Sequence, residues 1–153
     1  MDVIKVTEDH IPMILEIEKE AFSPPWTYDD FIGEVNKEDS CFVAVINKAE
    51  EVQALSPVLN GYALLRTVGD DGELLSIAVC SSKKRLGVGN LLMSAVLDFA
   101  DKKNCGSVFL EVRISNNPAI ELYTKHGFKQ LRIRRDYYEK PVEDAIVMVR
   151  KID

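Results

Sequence analysis

A chain of 153 residues, 46% hydrophobic and 29% charged, can bury one full core and is short for two, so residues 1–153 read as one domain. Its formal net charge of −6 argues against general affinity for nucleic acid and favours a cationic partner. No run approaches the roughly 20 apolar residues of a membrane-spanning helix, and the opening MDVIKVTEDH lacks the basic and apolar regions of a secretory signal, so a cytoplasmic protein without membrane contact is expected.

The run 2–7 alternates as a short strand, and 8–22 has helical spacing, with Ile11, Ile14, Leu15 and Phe22 close to one face. After the loop SPPW, the Thr27 hydroxyl is placed to accept from the first-turn N–H groups of a second helix over 28–37. Strands follow at 41–46, 61–67 and 72–80, apolar and rich in β-branched or aromatic residues. The first two are separated by 47–60, a polar connection containing Pro57 that keeps no regular pattern and reads as a mobile hairpin loop. The helix that starts at Val88 carries Val88, Leu91, Leu92, Ala95, Val96 and Phe99 at helical spacing, a single buried stripe. SVFLEVRI is another strand, and the next helix has Asn117 as its cap, Pro118 at its first position and Gly127 to close it in the left-handed conformation. Two long strands, 128–138 and 144–152, end the chain. This order predicts an α+β fold: a mixed, mainly antiparallel sheet of about seven strands, with about four helices on its two faces. The cysteines Cys41, Cys80 and Cys105 are widely separated, form no CxxC pair and have only two histidines to help them, so they read as buried free thiols and no metal site is expected.

The stretch KRLGVGN joins the third of these strands to the long helix. A strand, a glycine-rich turn and a helix in that order present backbone N–H groups and a helix N-terminus to a phosphate. A Walker loop needs four residues between its glycines and then Gly-Lys-Ser/Thr, but here Val88 alone separates Gly87 from Gly89. A Rossmann turn wants a third glycine where Leu92 stands, and a βαβ start rather than a run of antiparallel strands. KRLGVGN instead resembles the Q/R-x-x-G-x-G/A signature of the GCN5-related N-acetyltransferases (GNAT), whose loop cradles the pyrophosphate of acetyl-CoA. Lys84 departs from the usual Gln or Arg and meets a phosphate as a point charge without the fork. LEVRISNNPAIELYTKHGF is similar to the second signature of the family. RIRRDYY, EDAIVMV and PPWTYDDF are similar to its ribosomal-protein-alanine N-acetyltransferase (RimI-type) branch, in which the stretch 47–60 is usually shorter.

The resemblance implies transfer of the acetyl group of acetyl-CoA to a protein's N-terminal amine, by direct attack in a ternary complex. The acceptor implied is the N-terminal alanine of the small-subunit ribosomal protein numbered eighteen, or a similar N-terminus. Carried onto matching positions, the resemblance puts the backbone of Ile77, Ala78 and Val79 on the pantetheine and thioester. Lys84, Arg85, Leu86, Gly87, Val88, Gly89 and Asn90 fall around the pyrophosphate, with Asn116 as a further coenzyme contact. Glu111 would be the general base, acting through a water, and Tyr123 the acid that protonates the departing thiolate, while Trp26 and Tyr138 would flank the acceptor. Other outcomes of the same fold are an acetyltransferase for a small-molecule or lysine amine, and a non-catalytic acyl-CoA-binding module. The last would keep Gly87 and Gly89 without needing Glu111 and Tyr123.

Proton chemistry separates these acceptors. At pH 7 an α-amino group with a pKa near 8 is neutral about one time in ten, and a lysine about once in a few thousand, so an N-terminus needs only modest help from a base. Strand alternation puts Glu111 on the face of Phe109 and Arg113, opposite Val108, Leu110 and Val112; the residues alone leave open an ordinary ion pair with Arg113 or solvent exposure. Tyr123 shares a helical face with Ala119 and Ile120, as a core tyrosine would, and Trp26 in a proline-rich loop also suits a packing anchor. Alternation splits the arginines of RIRR between two faces, which argues against an RNA-stacking surface with Tyr137 and Tyr138. His126, in the last turn of its helix, stands where a cation is favourable and receives no catalytic role.

Overall fold

The computed structural model describes residues 1–47 and 58–152, so most of the connection read as a mobile loop lies outside the described residues. Seven strands, β1 (Asp2–Lys5), β2 (Ser40–Ile46), β3 (Leu59–Val68), β4 (Asp71–Val79), β5 (Ser107–Arg113), β6 (Lys129–Glu139) and β7 (Val142–Lys151), form one sheet. Their order is β1-β2-β3-β4-β5-β7-β6. Every pairing is antiparallel except that of β4 with β5. Helices α1 (Ile11–Ala21), α2 (Tyr28–Ile32), α3 (Val88–Lys102) and α4 (Asn117–Lys125) complete the expected α+β architecture. Among the described residues no helix is long and apolar enough to cross a membrane.

The sheet has a core on each face. On one, Ile11, Ile14 and Phe31 from α1 and α2 pack on Phe42, Tyr62 and Leu64. On the other, α3 brings Leu92, Met93 and Val96 against Leu65, Val108 and Leu110, with Tyr123 of α4 and Phe128 beside them. Each such large side chain removed from water contributes about 1.5–3 kcal/mol.

Several boundaries differ from expectation. Helix α2 has five residues: Asn36 takes a left-handed φ of 63°, and Glu34, only 6% exposed, turns in to accept from the Ser40 hydroxyl at 2.7 Å and pair with Arg66 at 3.1 Å. In α1 the buried row is Ile11, Ile14, Ile17 and Glu18, while Phe22 lies past the helix end and is 36% exposed. The stripe of α3 is rotated, with Met93, Leu97 and Ala100 buried and Leu91 exposed. Both rows are apolar, and α3 lies on β2, β3 and β4, with Gly89, one turn before Met93, beside Leu122 of α4. The cap of α4 is Asn116 rather than Asn117, its Oδ1 accepting from the Ala119 N–H at 3.3 Å, while Gly127 closes the helix at φ 89° as expected. Thr27 caps α2, accepting from the Asp30 N–H at 3.3 Å. Cys41 and Cys105 are buried free thiols, but Cys80, at the end of β4, is only half-buried.

Candidate active site

The parallel ladder of β4 and β5 has just two registered pairs, Gly72↔Val108 and Glu73↔Phe109. Beyond them each strand keeps its outer partner, β3 for β4 and β7 for β5, so the facing edges separate and their backbone groups lose the ladder. A bulge marks the same place: Leu65 pairs with Leu74 and Leu64 with Ser76, which leaves Leu75 unmatched. One extra residue reverses the facing of everything after it. Leu74 faces the α3 core, yet Ser76 and Ala78 face the α1 core, while Ile77 and Val79 return to α3. The predicted coenzyme strand, Ile77 to Val79, is thus the part of β4 with an unpaired edge beside β5.

A 3-10 turn, Ser81–Lys83, leads from β4 to the glycine loop. Gly87 caps α3 with a φ of 84°, and Arg85 also takes a left-handed φ, 65°, which costs a non-glycine residue about 1–3 kcal/mol. Two left-handed residues within three positions curl the chain so that successive N–H groups turn toward one side, the form of an anion cradle. Lys84, Arg85 and Leu86 are exposed, and neither cation has an ion pair among the described residues. Gly89 has a packing reason of its own, since a Cβ there would stand 3.1 Å from Leu122 Cδ2. Val88, 1% exposed, is seated in the core under the loop. These residues fit a diphosphate: open N–H groups at a helix start, flanked by unengaged cations.

The Asn90 Oδ1 lies 2.9 Å from His126 Nε2, which ties the start of α3 to the end of α4. Burial, then Lys125 and Arg150, holds the His126 imidazole below its ordinary range, so the cation at the end of α4 is Arg150, donating to the His126 carbonyl at 2.7 Å. Asn116, exposed at the start of α4, spends its Oδ1 on the cap and keeps its amide N–H donors.

Glu111 stands mid-way along β5, two residues after the last pair with β4. It lies on the expected face and is partly exposed, at the edge of a cavity of about 270 Å³ lined also by Glu73, Phe109 and Val147. Its ion pair is with Arg134, Oε1 to Nη1 at 2.7 Å, and not with Arg113. The Arg134 guanidinium lies 4.8 Å from the Tyr137 ring centroid, and hydrogen bonding to Glu111 holds the Tyr137 hydroxyl above the usual tyrosine range. Simple alternation would place residues 134 and 137 on opposite faces. They meet Glu111 together because three residues of β6, 135–137, are set against the single Asp144 of β7. Asp136 makes that bulge with a φ of 51°, and its N–H donates to Asp144 Oδ1 at 2.8 Å.

Tyr123 is buried edge-on against Phe128, ring centroids 6.0 Å apart. Burial first, then the neighbouring Tyr138, pushes its hydroxyl well above the tyrosine range. Tyr138 in turn is pushed up to about 12 by its own burial and by Glu111, which puts it within electrostatic reach of both predicted catalytic groups. Its ring lies under the Arg113 guanidinium, 4.2 Å to the centroid. Trp26 is half-buried against Phe31, centroids 5.1 Å apart, and its backbone N–H donates to Glu18 Oε1 at 3.0 Å. Glu18 Oε2 accepts from the Tyr62 hydroxyl and, at 3.4 Å, from Ser76 of β4. The loop of Trp26 is therefore pinned, through one buried carboxylate, to the strand that borders the gap.

Sequence reasoning missed Glu18, Gly61, Arg113 and Arg134. Glu18 had a signal, a carboxylate within the apolar row of α1. Gly61 had a weaker one, a glycine opening an apolar strand; a Cβ there would meet the Ala78 carbonyl oxygen at 2.8 Å and Val88 Cγ1 at 2.9 Å, so its bareness lets α3 dock beside β4.

Comparison with known proteins agrees with this geometry. The model of the Acetyltransferase (GNAT) family matches residues 11–128. The [ribosomal protein bS18]-alanine N-acetyltransferase of Escherichia coli is 32% identical over 148 residues, covering 93% of this chain and 91% of that protein. An N-alpha-acetyltransferase of Sulfurisphaera tokodaii is 33% identical over 143 residues, covering 90% and 85%. The crystal structure of the ribosomal-protein-S18-alanine N-acetyltransferase from Escherichia coli superposes with a TM-score of 0.84 at 28% identity, over 99% of this chain and 94% of that one. Arabidopsis thaliana NAA60, in complex with acetyl-CoA, shares the fold at a TM-score of 0.87 and 19% identity, over 99% of this chain and 98% of that one. A parted parallel strand pair, a left-handed glycine loop and this kinship lead to one conclusion: the chain belongs to the GNAT family, as an acetyl-CoA-dependent acetyltransferase related to the bS18-alanine N-acetyltransferases.

Proposed function

We propose that this enzyme acetylates the α-amine of a protein N-terminus, with the N-terminal alanine of ribosomal protein bS18 as the first acceptor to test. One observation carries the reading: a partly exposed carboxylate, Glu111, stands mid-strand just past the point where β4 and β5 part, held at 2.7 Å by Arg134. Two relatives named for that alanine or for α-amines, each about a third identical across nine tenths of the chain, support it.

In this reading the unpaired edge of β4 at Ile77, Ala78 and Val79, the loop from Lys84 to Asn90, and Asn116 hold acetyl-CoA, which supplies an activated acyl group when bound. Trp26 and Tyr138 border the acceptor. Glu111 takes the proton of the attacking amine, directly or through one water, and Arg134 and Tyr137 fix the carboxylate's orientation while it does so. Because the α-amine is already neutral about one time in ten at pH 7, a carboxylate suffices as base. Tyr123 serves as hydrogen-bond donor to the departing thiolate. Its hydroxyl, kept protonated by burial, donates throughout the working pH range.

The test is incubation with acetyl-CoA and a panel of peptides differing in their first residues, followed by fragmentation mass spectrometry. The expected product is an alanine-first peptide with a basic continuation, modified at its α-amine. Modification confined to lysine side chains or to free polyamines overturns the reading.

A further inference from the structure

The geometry points to Arg113 as a positioning residue that fastens the two lips of the acceptor cleft together and so sets affinity for the acceptor chain, independently of coenzyme binding. This rests on the N-terminal reading above. Arg113 ends β5, two residues beyond Glu111 and on the same face. Its Nη2 donates to the Ser23 carbonyl at 3.2 Å and to the Lys140 carbonyl at 3.1 Å. Its Nη1 donates to the Pro141 carbonyl at 2.9 Å and to Glu143 Oε1 at 3.2 Å. Ser23 belongs to the α1–α2 connection, three residues before Trp26, while Lys140 and Pro141 form the β6–β7 turn that follows Tyr138. Among the described residues no other hydrogen bond joins these two turns.

The chemistry of the clamp is specific to the guanidinium. Carbonyls from two segments are reached by two nitrogens held at fixed angles in one plane, and the face of that plane covers the Tyr138 ring. Glu143 completes the clamp from below. Its other oxygen accepts from the Ser115 N–H at 2.7 Å, and hydrogen bonds from Ser115, then Arg113, hold the carboxyl under the usual range. A cleft whose walls are tied in advance loses little loop entropy when a peptide enters. Untied walls must be ordered by the peptide itself, and the loss appears as weaker acceptor binding. β4, the glycine loop and α3 share none of these contacts; of the proposed coenzyme residues only Asn116 lies next to the clamp, its backbone N–H donating to the Arg113 main-chain carbonyl at 2.9 Å, a bond that side-chain replacement leaves in place.

The test uses the full chain as Arg113→Lys and Arg113→Met, with an alanine-first basic peptide as acceptor. Peptide KM is expected to rise about tenfold or more in both variants, with kcat at saturating peptide held within about threefold and acetyl-CoA Kd, by calorimetry, within about twofold. Lysine gives no rescue, because one point charge cannot serve both turns. Peptide KM unchanged in both variants overturns the inference. So does a parallel loss of coenzyme binding, which would assign Arg113 to the general fold. If the unaltered protein acetylates no peptide N-terminus at all, the functional reading itself fails, and this inference falls with it.

Discussion

Replacing Gly61 by alanine probes how the coenzyme site is assembled. Gly61 pairs with Val79, and a Cβ added to it would lie 2.8 Å from the Ala78 carbonyl oxygen, 2.9 Å from Val88 Cγ1 and 3.2 Å from Leu92 Cδ1. None of the three can swing aside: the first is backbone, and the others belong to residues 1% and 0% exposed. The relief is for the start of α3 to lift from β3 and β4. Overpacking of this kind costs about 1–3 kcal/mol. At about 2–4 °C per kcal/mol for a chain of this size, Tm falls by roughly 2–12 °C. The same displacement moves the glycine loop relative to Ile77–Val79, so acetyl-CoA affinity weakens by about tenfold, or ~1.4 kcal/mol. Thermal melting and calorimetry read the two effects. Gly69→Ala is the control: at φ 60° with nothing within 4 Å, it carries backbone strain alone, lowering Tm while leaving coenzyme affinity as it was. A Gly61→Ala protein with unaltered Tm and affinity would refute the claim that this glycine seats the helix.

Three further outcomes follow from the site. Glu111→Gln should lower kcat at pH 7 by about a hundredfold or more with little change in acetyl-CoA affinity, and raising the pH should partly restore the rate; a wild-type rate removes Glu111 from the mechanism. Tyr123→Phe keeps the ring against Phe128 and loses only the hydroxyl, so transfer should slow in an intact fold; full activity would leave that residue a packing role. Burial holds Tyr62 and Tyr123 above the ordinary tyrosine range, so the folded protein keeps protons that the unfolded chain releases from about pH 10 upward. Their contribution to stability is complete below that pH and lost progressively above it, so the urea midpoint should fall as pH rises from about 10 to 12, less steeply in Tyr123→Phe.

Much of the fold was legible because local rules carried it. Thr27, Pro118 and Gly127 mark helix ends by chemistry confined to one turn, and alternation along 107–113 placed Glu111 on the correct face. The glycine loop was readable for the same reason, since Gly87 satisfies its own φ. What stayed hidden depends on partners brought near by sheet order. Glu111 and Arg134 are 23 residues apart, and Arg113 and Ser23 are 90 apart. Only the order β5-β7-β6 and the α1–α2 connection bring them together. Periodicity also fails at bulges: the extra residue Leu75 and the kink at Asp136 shift the side chains that follow, so Arg134 and Tyr137, which simple alternation sets on opposite faces, converge on Glu111. For α3, two apolar rows competed, and the strands it packs on, β2, β3 and β4, receive the row that includes Met93 and Leu97.

The account turns on the gap between β4 and β5 being where the coenzyme lies, a claim that amide hydrogen exchange with and without acetyl-CoA tests directly. Strand edges without a ladder partner exchange quickly until a ligand covers them. The account predicts that added acetyl-CoA slows exchange in two stretches, 75–79 of β4 and 85–90 at the start of α3, and leaves the β1–β2 edge unaffected. Tight binding with protection elsewhere, and none in those stretches, would contradict it.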